Sequence, residues 1–571
     1  MKERIRKTYH WCINRLPEAL LILCLLSVLP AVAMAGLAIL RQFQTMAAGP
    51  SDYAEWFTAH PWTVGSTFIC LVALAALLTT LWRERTHLWP VARKMMVEAM
   101  HRRVVIILLV FFLVLIPALP FILQTQGGLK SQVQISFTYA MGLAEALLSF
   151  LAIFLGTASI CREIEQQKVH ITDTKPLGRW KFLAGKLVGI VVMCSALLFA
   201  MMVGVYGLIT YMSRKPDISG LQEWQVERVR KEQQEVNNQI FTARTTVSPP
   251  RPNVKDRVDE KIAELKNNGN LKDEYRNEYS AREALTRRLR QQQLSVAPRR
   301  RKAWTLRGLT PPSQATSDRV YLRFKLFAPG VQQGGTVKGA WTVWRPQQQS
   351  EKKSTKTKGE SGQKMVPVAS MRRDWNTGSF QEFRVPADAI TPDGTLHLTY
   401  QNLESGSAVV FELGHSLEAL QKVGGFFPNF YRSVLVIMFH IILLAALGLM
   451  AGSMFSFPVA SLLAVFIFLL GVSAPWFLSL WQAVSAPFTI EGNPLLSYLL
   501  NRGLNALTEG VLYVVPNVST YSPIGDLVHG KLVSWAFVSR TGALMLVVKG
   551  GIVMLLATYA YYRRELARVI V

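Results

Sequence analysis

The sequence has little of what disulfide-stapled secreted domains and soluble enzymes are built from. Five cysteines occur in 571 residues. Cys12, Cys24, Cys70, Cys161 and Cys194 all lie in or beside apolar segments and form no CxxC pair, so they read as small membrane hydrophobes. Charged residues are only 18% of the chain, and acids are the scarcer sign, with 37 Asp and Glu against 63 Lys and Arg. No GxxxxGK[ST] stretch is present. The nearest, "LAGKL" at Leu183 to Leu187, lacks the upstream glycine and the magnesium-holding hydroxyl, which excludes a P-loop site in this chain. The nine histidines show no metal-ligand spacing, and there is no HExxH, nucleophile elbow or paired-carboxylate pattern. No catalytic residue, metal or cofactor is therefore assigned.

What the chain has in quantity is apolar sequence: half of its residues are hydrophobic and its mean hydropathy is +0.22. A spanning helix needs about 20 apolar residues. Eight stretches qualify, at about 19 to 40, 62 to 82, 104 to 123, 135 to 160, 187 to 212, 433 to 452, 457 to 480 and 541 to 562. The first follows a basic segment and contains "AVAMAG" like a signal peptide, but its apolar run continues to Leu40 and reads as an uncleaved anchor. Short loops rich in Lys and Arg stay cytoplasmic. The N-terminus, the segment after the second stretch (Arg83 to Arg103), the connector after the fourth, and the tail at Arg563, Arg564 and Arg568 fall on one side by this count, so both termini are placed in the cytoplasm. The expected fold is a membrane all-α protein of about eight transmembrane helices with an inserted extracytoplasmic domain at 213–425.

That insert has two textures. Residues 220–295 are rich in Glu, Arg, Gln and Lys and read as two charged helices flanking the loop "SPPRPN", a long helical hairpin. Residues 303–415 carry strand-like runs, "RVYLRFKLFAP", "GAWTVW", "FQEFRVP" and "GTLHLTY", parted by turn residues, which predicts a small β-sandwich. Its basic residues interleave with acids along helices, which marks a solvated face, and no nucleic-acid partner is indicated. The exception is "PRRRKAW" at Pro298 to Trp304, which offers contact to lipid phosphates.

Two groups of polar residues stand out. Inside the apolar stretches, Glu145, His440 and Lys549 lie roughly 15, 11 and 12 Å from the outer ends at about 1.5 Å per residue, so they can share one layer, and Glu145 with Lys549 is the natural pair. The second group is the connector "CREIEQQKVHITDTKPLGRWKFLAGKLVG" from Cys161 to Gly189. Pro176 suits a first helical turn with Asp173 and Thr174 as caps, and Glu163 to Ile171 can form a separate short amphipathic helix.

The stretch "REIEQQKVHITDTKPLGRWKFLAGKLVG" resembles the connector between the second and third core spans of type-2 ABC transporter permeases, close to the branch involved in copper-enzyme maturation. The acidic start matches Glu163 and Glu165, and the later Pro, Arg and Gly-Lys match Pro176, Arg179, Gly185 and Lys186. Gln167 and Lys168 stand where relatives carry Gly-Thr. "WPVARKMMVEAMHRRVV" is similar to the family's interfacial elbow helix and "YYRRELARVIV" to its closing tail. The resemblance divides the chain into two added helices (1–88), the elbow with the first three core spans and connector 161–186 (89–212), the insert (213–425) and the last three core spans (426–571). It implies a permease subunit in a bacterial inner membrane, in contact with lipids, paired with itself or a related permease. A separate cytoplasmic ATPase would dock on Glu163, Glu165, Lys168, Pro176, Arg179 and Lys186. Two other readings stay open: a complex whose ATPase drives mechanical or scaffolding work through the outer domain, and a membrane-anchored binding module with no ATPase.

Overall fold

The computed structural model describes residues 85–101, 104–123, 128–166, 178–214, 223–250, 254–267, 294–311, 319–332, 334–346, 365–411, 416–484 and 516–563, with a few isolated positions besides. The expected spans at 19–40 and 62–82 lie outside these residues. The chain divides into two compact units, one made of 1–241 with 426–571 and the other of 242–425.

The first unit is helical because its apolar runs can satisfy their backbone only within themselves. Helix α1 (Arg85–His101) is followed by α2 (Val104–Ile122), α3 (Gly128–Glu165), α4 (Arg179–Arg214) and α5 (Glu223–Gln239); after the second unit come α7 (Phe426–Met454), α8 (Phe457–Val484), the short α9 (Ile524–Val528), α10 (Trp535–Gly542) and α11 (Gly551–Arg563). Residues Ala543–Gly550, between the last two, wind as π-helix, so that Trp535–Arg563 is one continuous apolar rod. Among the described residues, five helices are long and apolar enough to cross a membrane: α3, α4, α7, the Phe457–Phe477 part of α8, and Trp535–Arg563, while α2 is a shorter apolar helix.

Glycine sets the spacing of the central pair. A Cβ on Gly156 of α3 would lie 2.9 Å from the Ala445 carbonyl oxygen, one on Gly448 of α7 2.7 Å from that of Ile153, and one on Gly452 2.9 Å from that of Thr157. Numbers rise together on both helices, so α3 and α7 run parallel with backbones in contact, the close approach that small residues permit in apolar surroundings.

The second unit is built on two antiparallel sheets. One has the order β1-β10-β4-β9-β2 with β7 also paired to β4, and the other is β3-β8-β5-β6, from β1 (Thr242–Val247), β2 (Ser295–Val296), β3 (Arg301–Arg307), β4 (Arg319–Phe327), β5 (Thr336–Pro346), β6 (Met365–Asn376), β7 (Phe380–Pro386), β8 (Thr395–Asn402), β9 (Val409–Phe411) and β10 (Leu417–Gly425). Alternate residues of both sheets, among them Leu322, Phe324, Trp341, Val343, Leu398 and Tyr400, meet in one core, with the Phe324 and Trp341 rings 5.0 Å apart. The chain enters on β1 and leaves on β10, which pair with Thr242 opposite Gly425.

The helical hairpin expected over 220–295 does not form as drawn. Its first helix, α5, packs with the membrane helices, and the β-branched run Thr245, Thr246 and Val247 makes strand β1 ahead of the proline loop. The helices that do pair are α6 (Lys255–Asn267) and the residues around Leu285, through Val258, Ile262 and Leu285 and an ion pair of 2.5 Å from Arg282 to Asp259.

Candidate functional site

The polar connector is framed by the C-terminal end of α3 and the N-terminal end of α4. Glu163 and Glu165 belong to the last turn of α3, with Gln166 N–H still donating to the Arg162 carbonyl, so the acidic start continues the long helix in place of opening a separate short one. Helix α4 begins at Arg179, and the Gly178 carbonyl accepts from the N–H of Lys181 and Phe182 at 2.9 and 3.2 Å. Lys168 and Pro176 lie outside the described residues.

Three helices meet at Glu163. Its Oε2 is 2.9 Å from Lys186 Nζ on α4, with both side chains nearly sealed from solvent. Lys186 also donates to the Ser159 carbonyl on α3, and its ammonium lies 4.8 Å from the centre of the Phe182 ring. On its other side, Glu163 Oε1 receives Lys94 of α1 at 3.4 Å, a looser bond because Lys94 is mostly exposed. Helix α1 reaches this position because α4 has glycines there: a Cβ on Gly185 would lie 2.9 Å from that of Val91, and one on Gly189 2.8 Å from the Ala92 carbonyl oxygen. Removing one partner from a buried ion pair costs about 3–5 kcal/mol, since a charge is stranded, so the three helices are held together here.

Arg179 ties in a fourth element. Its Nη1 donates to the carbonyls of Tyr561 and Tyr562, at 3.4 and 3.2 Å, in the last turn of α11. A cation at this end complements the helix dipole. The Tyr562 ring, 5.3 Å from the guanidinium, adds a cation–π contact. Of the residues expected at the connector, Glu163 and Lys186 are thus bonded to each other, Arg179 is bonded to α11, and Glu165 is exposed. Lys94, Ser159, Tyr561 and Gly189 were not singled out from sequence; the small-residue spacing of "GKLVG" was the available signal for the last.

The opposite ends of α3 and α4 are clasped as well. Leu129 N–H, in the first turn of α3, donates to Glu232 Oε2 at 3.0 Å, and Gln233 Nε2 donates to the Ser213 carbonyl in the last turn of α4 at 2.9 Å. Adjacent residues of α5 therefore cap one helix start and one helix end. Three residues beyond the end of α5, at Thr242, β1 begins.

Within the apolar part, Glu145 and His440 come together. His440 Nδ1 lies 2.9 Å from Glu145 Oε1, and both are buried between α3 and α7, in register with the glycine seam two turns further on. Lys549 is buried on the π-helical segment, which packs on α7. The acid that sequence reading matched with Lys549 is bonded here to the histidine.

No curated protein and no solved structure matches the chain. One family model does, over residues 89–221, a stretch that holds most of α1, all of α2, α3 and α4, and with them Lys94, Ser159, Glu163, Arg179 and Lys186. The chain is a multi-pass membrane protein whose residues 89–221 carry the ABC-2 family transporter protein domain, consistent with a type-2 ABC transporter permease.

Proposed function

We propose that the chain is the permease subunit of an ABC transporter, driven by a separate cytoplasmic ATPase that docks on the connector between α3 and α4. The observation that carries this reading is the Glu163–Lys186 ion pair, flanked by Lys94 and Arg179, which joins the middle of α1 to the ends of α3, α4 and α11 at the base of that connector. A partner that pushes on Lys168 and Pro176 meets four helices already joined, so a local displacement moves spans together. The basic short loops put this joint and both termini on the cytoplasmic side of a bacterial inner membrane and residues 242–425 outside. Pairing with a second permease, identical or related, supplies the other half of the route, and the layer of Glu145, His440 and Lys549 lies on it or governs its opening.

The test is ATP hydrolysis by the ATPase that co-purifies with the chain, reconstituted in vesicles. Glu165→Lys is expected to weaken co-purification, because this acid faces outward. Lys186→Met and Glu163→Gln are expected to leave co-purification intact yet lower stimulated hydrolysis several-fold, and the double variant to recover part of it. Normal stimulation in all four variants would remove the connector from this role.

A second reading, in which the ATPase drives mechanical or scaffolding work through the β-rich unit, is favoured by the α5 clasp. Helices α3 and α4 each span about 55 Å at about 1.5 Å per residue, and they carry the connector joint at one end and Glu232 and Gln233 at the other. The two readings part on whether substrate crosses the vesicle membrane during turnover.

A further inference from the structure

We propose that the outward face of the four-stranded sheet is a binding platform for an anionic polysaccharide. Side chains alternate across β3-β8-β5-β6, and those of Trp341, Val343, Leu398 and Tyr400 fill the core. The register puts Thr305, His397 and Trp344 in one row of the opposite face and Thr399 with Thr342 in the next, all partly exposed. Neighbouring strands are about 4.8 Å apart, close to the rise of one sugar residue in an extended glycan, so these hydroxyls form a ladder that can meet successive sugar hydroxyls. Trp344 Nε1 donates to Thr399 Oγ1 at 2.9 Å, which holds the indole along the sheet with a face available for the C–H side of a pyranose. Burial and the nearby Arg307 hold the His397 imidazole below its usual range, so at pH 7 it is neutral; its Nδ1 lies 3.4 Å from Thr305 Oγ1, and Nε2 is the ring nitrogen left to meet a ligand.

Charge selects the class of glycan. Arg301, Arg307, Lys338 and Arg372 are exposed on this face; Asp374, opposite Lys338, and Glu404, whose Oε1 accepts from the Lys338 backbone N–H at 2.9 Å, are acids beside them. Arg301 opens the strand within the basic tract "PRRRKAW", and its Nε donates to Gln401 Oε1 at 3.1 Å, which fixes the guanidinium on the platform. A carboxylated or phosphorylated sugar chain uses both parts, the hydroxyl ladder and the guanidinium groups. An acidic peptide or a bilayer would use the charge alone, since the middle of this face presents hydroxyls where aliphatic anchors would be needed.

The experiment is isothermal titration of the full chain in detergent with alginate oligosaccharides, polyglutamate and neutral dextran. Alginate is expected to bind, with dextran weaker; Trp344→Ala and Arg301→Glu each weaken alginate at least tenfold without moving the melting temperature, and Asp374→Asn does not weaken it. Absence of alginate binding overturns the proposal. So does polyglutamate bound as tightly as alginate with Trp344→Ala having no effect, because a diffuse cationic surface then accounts for everything.

Discussion

Glu145 shows what a single side chain in an apolar wall demands of its neighbours. Its carboxylate accepts a hydrogen bond from His440 Nδ1 across 2.9 Å, and His440 is fully buried. A buried polar atom left without its partner costs about 1–3 kcal/mol, more when it is charged. Glu145→Leu is therefore expected to lower the thermal stability of the solubilised protein by an amount in that range. Glu145→Gln, which keeps an acceptor, costs less, and Glu145→Leu with His440→Leu recovers much of the loss. Melting curves of the parent, these three variants and His440→Leu alone check this, and a double variant as unstable as Glu145→Leu and His440→Leu summed would mean that the residues are not partners. The presence of expensive polar residues here was legible in the sequence, because each interrupts an apolar run. Their pairing was not, since counting residues inward gives depth and says nothing about which way a side chain faces around its helix. That direction is fixed by the glycines of α3 and α7, whose contact sets the rotation of both helices.

Elements were legible in proportion to how far their own residues decide them. The long apolar runs could only be helices, and strands such as β4, β5, β7 and β8 follow from alternating β-branched and aromatic residues. Strand β1 was missed because "ARTTV" is short and follows a strongly charged helix, and because its partner β10 lies more than 170 residues on, a pairing that local sequence does not announce. The glycine seam gives the sharpest test at this scale. Gly448→Leu drives a branched side chain against the Ile153 carbonyl, 2.7 Å from where a Cβ would stand, and overpacking of this kind costs about 1–3 kcal/mol or more. Loss of monodisperse protein in size-exclusion chromatography is expected. Gly142→Ala, on the same α3 with nothing within 4 Å of the new methyl, should elute as the parent does. Equal behaviour of the two would show that α3 and α7 are not held by backbone contact.

At the scale of the whole molecule, the division at Phe241 and Thr242 changes where the β-rich unit should be cut. Residues 242–425 keep the β1–β10 ladder from Thr242↔Gly425 to Val247↔Ala419, whereas a piece ending at residue 420 loses Gln421 to Gly425 and the partners of Thr242, Ala243, Arg244 and Thr245. Produced alone, 242–425 is expected to give a β-rich circular dichroism spectrum and to melt cooperatively, several degrees above a 217–420 piece. Its core of Trp341, Trp375, Phe324 and Tyr400 is large enough for a protein of this size to fold unaided. A disordered spectrum for 242–425 would overturn its standing as a separate folding unit.

The same ladder bears on how such a chain could arise. Thr242 and Gly425 face each other on hydrogen-bonded antiparallel strands, about 5 Å apart. To the helices on either side, the 184 residues of this unit therefore occupy the gap of a tight turn. A stretch of DNA encoding the entire unit can enter or leave the reading frame between Phe241 and Phe426 as a removable cassette, and the interrupted gene still specifies helices with the same spacing.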